Sequence, residues 1–145
     1  PMIVAAPGRM DITRGNQSSE LVELVDFLPT CLDFARIPCP PFMQGQSLKP
    51  LVTECDEGVF NRDSVYIEWR RAYQDGWKVV RTHQAWYGRS RDGIEILFDL
   101  EKDPQQLNNV ATDPNYRELR DQMRTELLAK YFEVEDQGRR ATGRY

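Results

Sequence analysis

The chain has 145 residues, 40% of them hydrophobic and 10% aromatic, which suits one folded domain with a core of its own. A net charge of −4 and a sequence pI near 5.1 give no reason to expect nucleic acid or an anionic membrane as a partner. No apolar run approaches the roughly 20 residues of a membrane-spanning helix, and Cys31, Cys39 and Cys55 form no metal-type Cys-x-x-Cys or Cys/His array.

Met2 to Ala6 is a short apolar run closed by Pro7-Gly8, and it predicts a buried strand. A strand with no lead-in reads as part of a longer chain. Residues 9 to 19 are polar and predict a loop. In LVELVDFLPTCLDFARIPCPPF, Asp26 is the expected N-cap and Pro29 falls in the first turn, where a missing N–H is tolerated. Phe27, Leu28, Cys31, Leu32, Phe34 and Ala35 repeat at helical spacing, so Cys31 is expected to be a small buried hydrophobe. Pro38, Pro40 and Pro41 stop the helix near Arg36. Cys39 and Cys55 lie in loops, and whether they pair stays open.

Residues 41 to 62 read as irregular loop, with Gly45, Pro50 and the acidic run ECDEG. The period then changes to two. In SVYIEWR, Val65, Ile67 and Trp69 share one face, and core packing is expected for Trp69. WKVVRTHQAWY is read as a second strand, and IEILFDL as a third with Ile94, Ile96, Phe98 and Leu100 on one face. Asp75-Gly76 and Asp92-Gly93 ahead of these runs support hairpin connections, hence an antiparallel meander. Asp113 caps the last helix, Pro114 opens it, and Tyr116, Leu119, Met123, Leu127 and Tyr131 repeat at three and four. Glu126, four residues before Lys130, adds an expected surface pair. A helix laid across a meander makes an α+β unit.

Four segments resemble, in this order, the C-terminal third of the sulfatases. They are Pro7-Gly8-Arg9, then Val25-Asp26 with Pro29-Thr30, then Gln44-Gly45-Gln46-Ser47-Leu48, and finally Leu97 to Val110 in LFDLEKDPQQLNNV. That family carries a strand ending Pro-Gly-Arg, a Val-Asp-x-x-Pro-Thr helix, a Gln-Gly-x-Ser-Leu loop and a Leu-x-Asp-Leu-x-x-Asp-Pro-x-Glu-x-x-Asn-Leu stretch. Two positions depart from it: Arg36 follows Ala35 where glycine usually caps the helix, and Gln106 lies where glutamate is usual. The resemblance implies a strand, loop and helix over 1–40 that belong to a larger upstream α/β domain. It further implies a loop over 41–62, a sheet-and-helix subdomain over 63–136 and a polar tail over 137–145. Because Asp103-Pro104 cannot continue a ladder, the LFDLEKDP strand is expected to end there, with Asn108 and Asn109 bonding the local backbone.

Sulfatases, as the resemblance has it, attack sulfur with a formylglycine made from Cys/Ser-x-Pro-x-Arg, beside a cation, usually calcium, held by Asp and Asn. Cys39-Pro40-Pro41-Phe42-Met43 matches only Cys-x-Pro and lacks the arginine. With one histidine and four lysines, the chain offers no catalytic residue and no metal site of its own. Calcium and formylglycine are therefore expected upstream, in the parent enzyme. The expected partners are that upstream catalytic domain and a sulfated small molecule or sugar, with the isolated chain self-associating through the apolar face of Leu28, Leu32 and Phe34. The candidate substrate wall is RTHQAWYGR. Arg81 suits an anionic ester, Trp86 suits a ring, and His83 is the only histidine. A phosphonate or phosphate ester hydrolase of the same superfamily, or a stand-alone binding module, remain as alternatives, and the compartment stays open.

Overall fold

A computed structural model of the chain describes residues 2–5, 8, 12–53, 60–71 and 75–136. Cys55, the ECDEG run and the tail from 137 lie outside the described residues. The chain divides into two compact units, Pro1–Arg62 and Asp63–Tyr145.

In the first unit a 3-10 turn, Leu24–Asp26, runs into helix α1, Phe27–Phe34, and a one-turn helix α2 spans Lys49–Val52. Asp26 is not the side-chain cap expected of it. Its backbone is already right-handed helical, with φ −74° and ψ −18°, and its carboxylate is turned inward. The start of the helix buries Asp26, Pro29 and Thr30 together. Cys31 is consequently exposed, contrary to expectation, and so are Phe27 at 67% and Leu28 at 50%. The helix ends in a Schellman motif: Arg36 N–H donates to the Asp33 carbonyl at 3.0 Å and Ile37 N–H to that of Leu32 at 2.9 Å. Arg36 therefore takes the left-handed conformation, φ +58°, that glycine adopts at no steric cost. The strand expected at Met2–Ala6 does not form over described residues 2–5, where Ile3 is 90% exposed. An extended apolar segment becomes a strand only beside a partner, and no described residue pairs with it.

The second unit is α+β. Strands β1 (Val65–Arg71), β2 (Asp75–Arg81), β3 (Ala85–Ser90) and β4 (Glu95–Asp99) form an antiparallel meander in that order. A 3-10 turn, Pro114–Tyr116, leads into helix α3, Arg117–Asp136. Asp113 caps this start, its carboxylate accepting from Asn115 N–H at 2.9 Å. There are four strands rather than three, because the run from Trp77 to Tyr87 folds back on itself at Thr82–Ala85.

Cross-strand register puts Tyr66, Val80, Tyr87 and Leu97 in one row. Val80, Tyr87 and Leu97 are fully buried there with Met123 and Leu127 of α3, while Leu119 and Tyr116 pack alongside. Each such side chain stabilises the unit by about 1.5–3 kcal/mol. The opposite face carries Ile67, Val79 and Ile96 in one row and Arg81, Trp86 and Phe98 in the next. Trp69 lies on that face and is 50% exposed, so the core role expected of it is not the one found. A sheet apolar on both faces does not announce which face the helix takes. The expected Glu126–Lys130 pair is absent too: Glu126 accepts from Ser64 Oγ at 2.5 Å, and Lys130 pairs with Glu133 at 2.9 Å.

Candidate functional site

The β2–β3 hairpin gathers the three side chains singled out from the sequence. Arg81 ends β2, His83 lies in the turn and Trp86 is the second residue of β3. The turn holds without glycine or proline, because the Thr82 hydroxyl accepts from the N–H groups of Gln84 at 3.2 Å and Ala85 at 3.0 Å. Thr82 N–H closes the hairpin onto the Ala85 carbonyl at 2.9 Å. Arg81 and Trp86 are directly opposite in the register, which sets their Cβ atoms about 5 Å apart on one face. Arg81 and His83 are exposed, and neither makes an ion pair among the described residues. The Trp86 ring meets Phe98 at 5.6 Å between centroids, inclined at 50°. A Cβ on Gly88 would come within 2.9 Å of two benzo-ring atoms of Trp86, so the indole leans along the strand and covers Gly88.

Two charged clusters went unread in the sequence. Asp26, fully buried, accepts from Arg62 through both oxygens, at 2.6 and 2.7 Å, and from the N–H groups of Glu23 at 2.7 Å and Gln46 at 2.9 Å. Burial works to raise its carboxyl. The Arg62 guanidinium and the two N–H groups more than offset this, holding it below the ordinary carboxylate value. The neighbouring bonds follow the sulfatase-like words. Thr30 Oγ donates to the Asp26 carbonyl at 2.6 Å and accepts from Leu48 N–H at 2.9 Å, while Ser47 Oγ and Lys49 Nζ donate to Asp33 at 2.6 and 2.9 Å. Gly45 sits so close that a Cβ would fall 2.1 Å from the Val25 carbonyl oxygen.

In the second unit Glu95 takes Arg124 through both oxygens, at 2.8 and 2.5 Å, and the Tyr87 hydroxyl at 2.5 Å. The Arg124 bonds are the larger cause, and they hold Glu95 down to about 2 despite partial burial. Burial first, and Glu95 second, push the Tyr87 phenol up. The LFDLEKDPQQLNN stretch also has a structural role. Asn109 Oδ1 accepts from the N–H groups of Leu97 at 2.9 Å and Ala111 at 3.1 Å, and its amide donates to the Glu95 carbonyl at 3.2 Å. Asp103 accepts from Asn108 N–H at 2.8 Å. Asn109 thus bonds β4 rather than only its own turn.

These residues do not fit a metal. Both oxygens of Asp26 and of Glu95 are engaged by a guanidinium, and among the described residues no three His, Cys, Asp or Glu side chains come together. No helix among them is long and apolar enough to cross a membrane.

Residues 1–133 match the model of the family "N-sulphoglucosamine sulphohydrolase, C-terminal". The chain is 33% identical to an arylsulfatase of Clostridium perfringens over 95% of its own length and 28% of that protein's. It is 38% identical to arylsulfatase K of Gallus gallus over 77% of its length and 22% of that protein's. It superposes on a 2-O GAG sulfatase with a TM-score of 0.68 at 30% identity, covering 77% of this chain and 25% of that one. The phosphonate monoester hydrolase of Agrobacterium radiobacter shares the fold, with a TM-score of 0.69 at 22% identity over 81% of this chain and 26% of that one. The chain therefore spans about a quarter of the length of these relatives. Its register-built meander, its capped last helix and the interlocked Val-Asp-x-x-Pro-Thr and Gln-Gly-x-Ser-Leu words belong to one family: the chain is a member of the sulfatase C-terminal domain family.

Proposed function

We propose that this chain is the C-terminal part of a sulfuric ester hydrolase, completing its fold and supplying one wall of its substrate cleft without turning over substrate by itself. The observation that carries this reading is the match over residues 1–133 to a sulfatase C-terminal family, within relatives about four times longer. On this reading residues 1–40 enter the larger α/β domain of the parent, where 2–5 would find the strand partner they lack among the described residues, and 63–136 form a separate sheet-and-helix subdomain. The continuous apolar run Met2–Ala5 fits a strand covered on both faces in a parallel sheet.

The residues here do not fit the formylglycine or the calcium of the family. Met43 lies where Cys-x-Pro-x-Arg requires arginine, and the Cys39 thiol meets the Met43 sulfur at 3.3 Å. Both groups belong to the parent's upstream portion. What this chain brings to substrate is the hairpin tip. Arg81 offers a planar fork to a sulfate ester, Trp86 an aromatic face and His83 a proton donor or acceptor.

The test is p-nitrophenyl sulfate hydrolysis by this chain alone and by the chain joined to an upstream sulfatase portion. Turnover is expected only in the joined form, and turnover by the 145 residues alone would end this reading. A joined form that cleaves a phenyl phosphonate and spares the sulfate would move the assignment to the phosphonate hydrolases.

A further inference from the structure

Gly88 poses the problem. It stands inside β3, paired with Val79 and Ile96 in the middle of the sheet, where glycine weakens a strand. It is not among the residues with positive φ, so the backbone does not demand it. Space does. A Cβ there would lie 2.9 Å from Trp86 Cη2 and Cζ3 and 3.2 Å from Val79 Cγ2. The missing side chain is what lets the indole lie down along the sheet, where it stays partly exposed beside Phe98. Across the strand boundary stands Arg81, a cation without an ion pair among the described residues, and the exposed His83 and Gln84 follow in the turn.

Resting on the sulfatase reading above, we propose that Trp86, seated on Gly88 and flanked by Arg81, is a stacking platform that makes the enzyme prefer a sulfated sugar to a sulfated phenol. A pyranose presents a C–H face to the indole and hydroxyls around its rim, which matches an apolar plate edged by polar groups. The Arg81 fork takes an anionic substituent of that sugar through paired N–H···O bonds. A phenyl ring would use the plate and leave the His83 and Gln84 side chains without a partner, so the polar edge discriminates between the two. Trp86 and Arg81 contact the ligand, whereas Gly88 acts only through the placing of the indole.

The experiment compares kcat/KM for N,N′-diacetylchitobiose 6-O-sulfate and p-nitrophenyl sulfate in the enzyme that carries this chain as its C-terminal part. Trp86→Ala and Gly88→Ala should each lower the disaccharide value by about tenfold or more, chiefly through KM, and should lower p-nitrophenyl sulfate by a clearly smaller factor. Arg81→Gln should weaken both substrates, the disaccharide by the larger factor, and Trp86→Tyr should keep most of the disaccharide rate. Equal losses on both substrates, or variants that lower only the melting temperature, would overturn the platform. Should the wild-type enzyme cleave neither ester, the sulfatase reading fails on its own. Titration of the disaccharide into wild type and Trp86→Ala, followed by isothermal titration calorimetry, then decides the platform separately: saturable binding lost in the variant sustains it, and absent or unchanged binding rejects it.

Discussion

At the scale of single residues, the Arg62 side chain and the Asp26 carboxylate are 6% and 0% exposed, so neither charge has water to fall back on. Removing Arg62 leaves the buried Asp26 carboxylate with only the Glu23 and Gln46 N–H groups, which costs about 3–5 kcal/mol, whereas the pair itself contributes far less than that over a well-packed apolar substitute. Arg62→Ala should therefore abolish protection of the α1 amides in hydrogen exchange. Arg62→Lys should recover little, because an ammonium cannot bridge two carboxylate oxygens as a planar fork does. Arg36 offers the opposite sign. It occupies a left-handed cap at φ +58°, and Arg36→Gly should raise stability to urea by about 0.5–1 kcal/mol. A fall in stability would mean that the Arg36 side chain contributes more than its backbone strain removes. The Asp26–Arg62 pair was invisible in the sequence because its members are 36 positions apart, with nothing periodic to join them. Arg36 was visible as a departure from Ala-Gly, since a cap is a local affair of a few residues.

At the scale of elements, the Glu95–Arg124 pair ties β4 to α3 over the buried Tyr87 ring. Glu95 has its folded pKa depressed to about 2 from 4.5, so the stabilisation it brings is present above pH 4.5 and lost as pH falls through 2. Arg124 is 38% exposed and solvent screens the pair, so the amount at stake is on the order of 2 kcal/mol rather than the full shift. Acid titration of the melting temperature should show this loss in wild type and a flatter curve in Glu95→Gln. Asn109→Ala removes the partner of the Leu97 N–H and should cost about 1–3 kcal/mol by urea denaturation. Among the elements, α3 was legible because Asp113-Pro114 and a stripe at three and four both mark it. The β2–β3 turn was not, since its bend is made by a threonine hydroxyl in place of Gly, Pro or Asn. Of the proposed site, Arg81, His83 and Trp86 were readable as residue types in one short run. Their shared face, and the role of Gly88, needed the register.

At the scale of the whole molecule, Leu24, Phe27 and Leu28 are 87%, 67% and 50% exposed at the start of α1. Apolar groups so closely grouped favour association. In the chain by itself, light scattering should report an average mass above that of the monomer, with Phe27→Glu shifting it down. A monomer at high concentration in both forms would refute this.

The Asn109 amide has one more consequence, for the direction in which the sheet can grow. It already bonds β4 at the Leu97 N–H and the Glu95 carbonyl, and Val110 N–H bonds the Leu97 carbonyl at 2.9 Å. A newcomer strand meets an occupied margin there, while β1 at the opposite margin has no neighbour among the described residues. Accretion is thus one-sided. Two copies joined β1 to β1 would hide both receptive margins at their shared seam and turn both occupied ones outward, so that assembly by strand pairing halts at two rather than running on into a fibre.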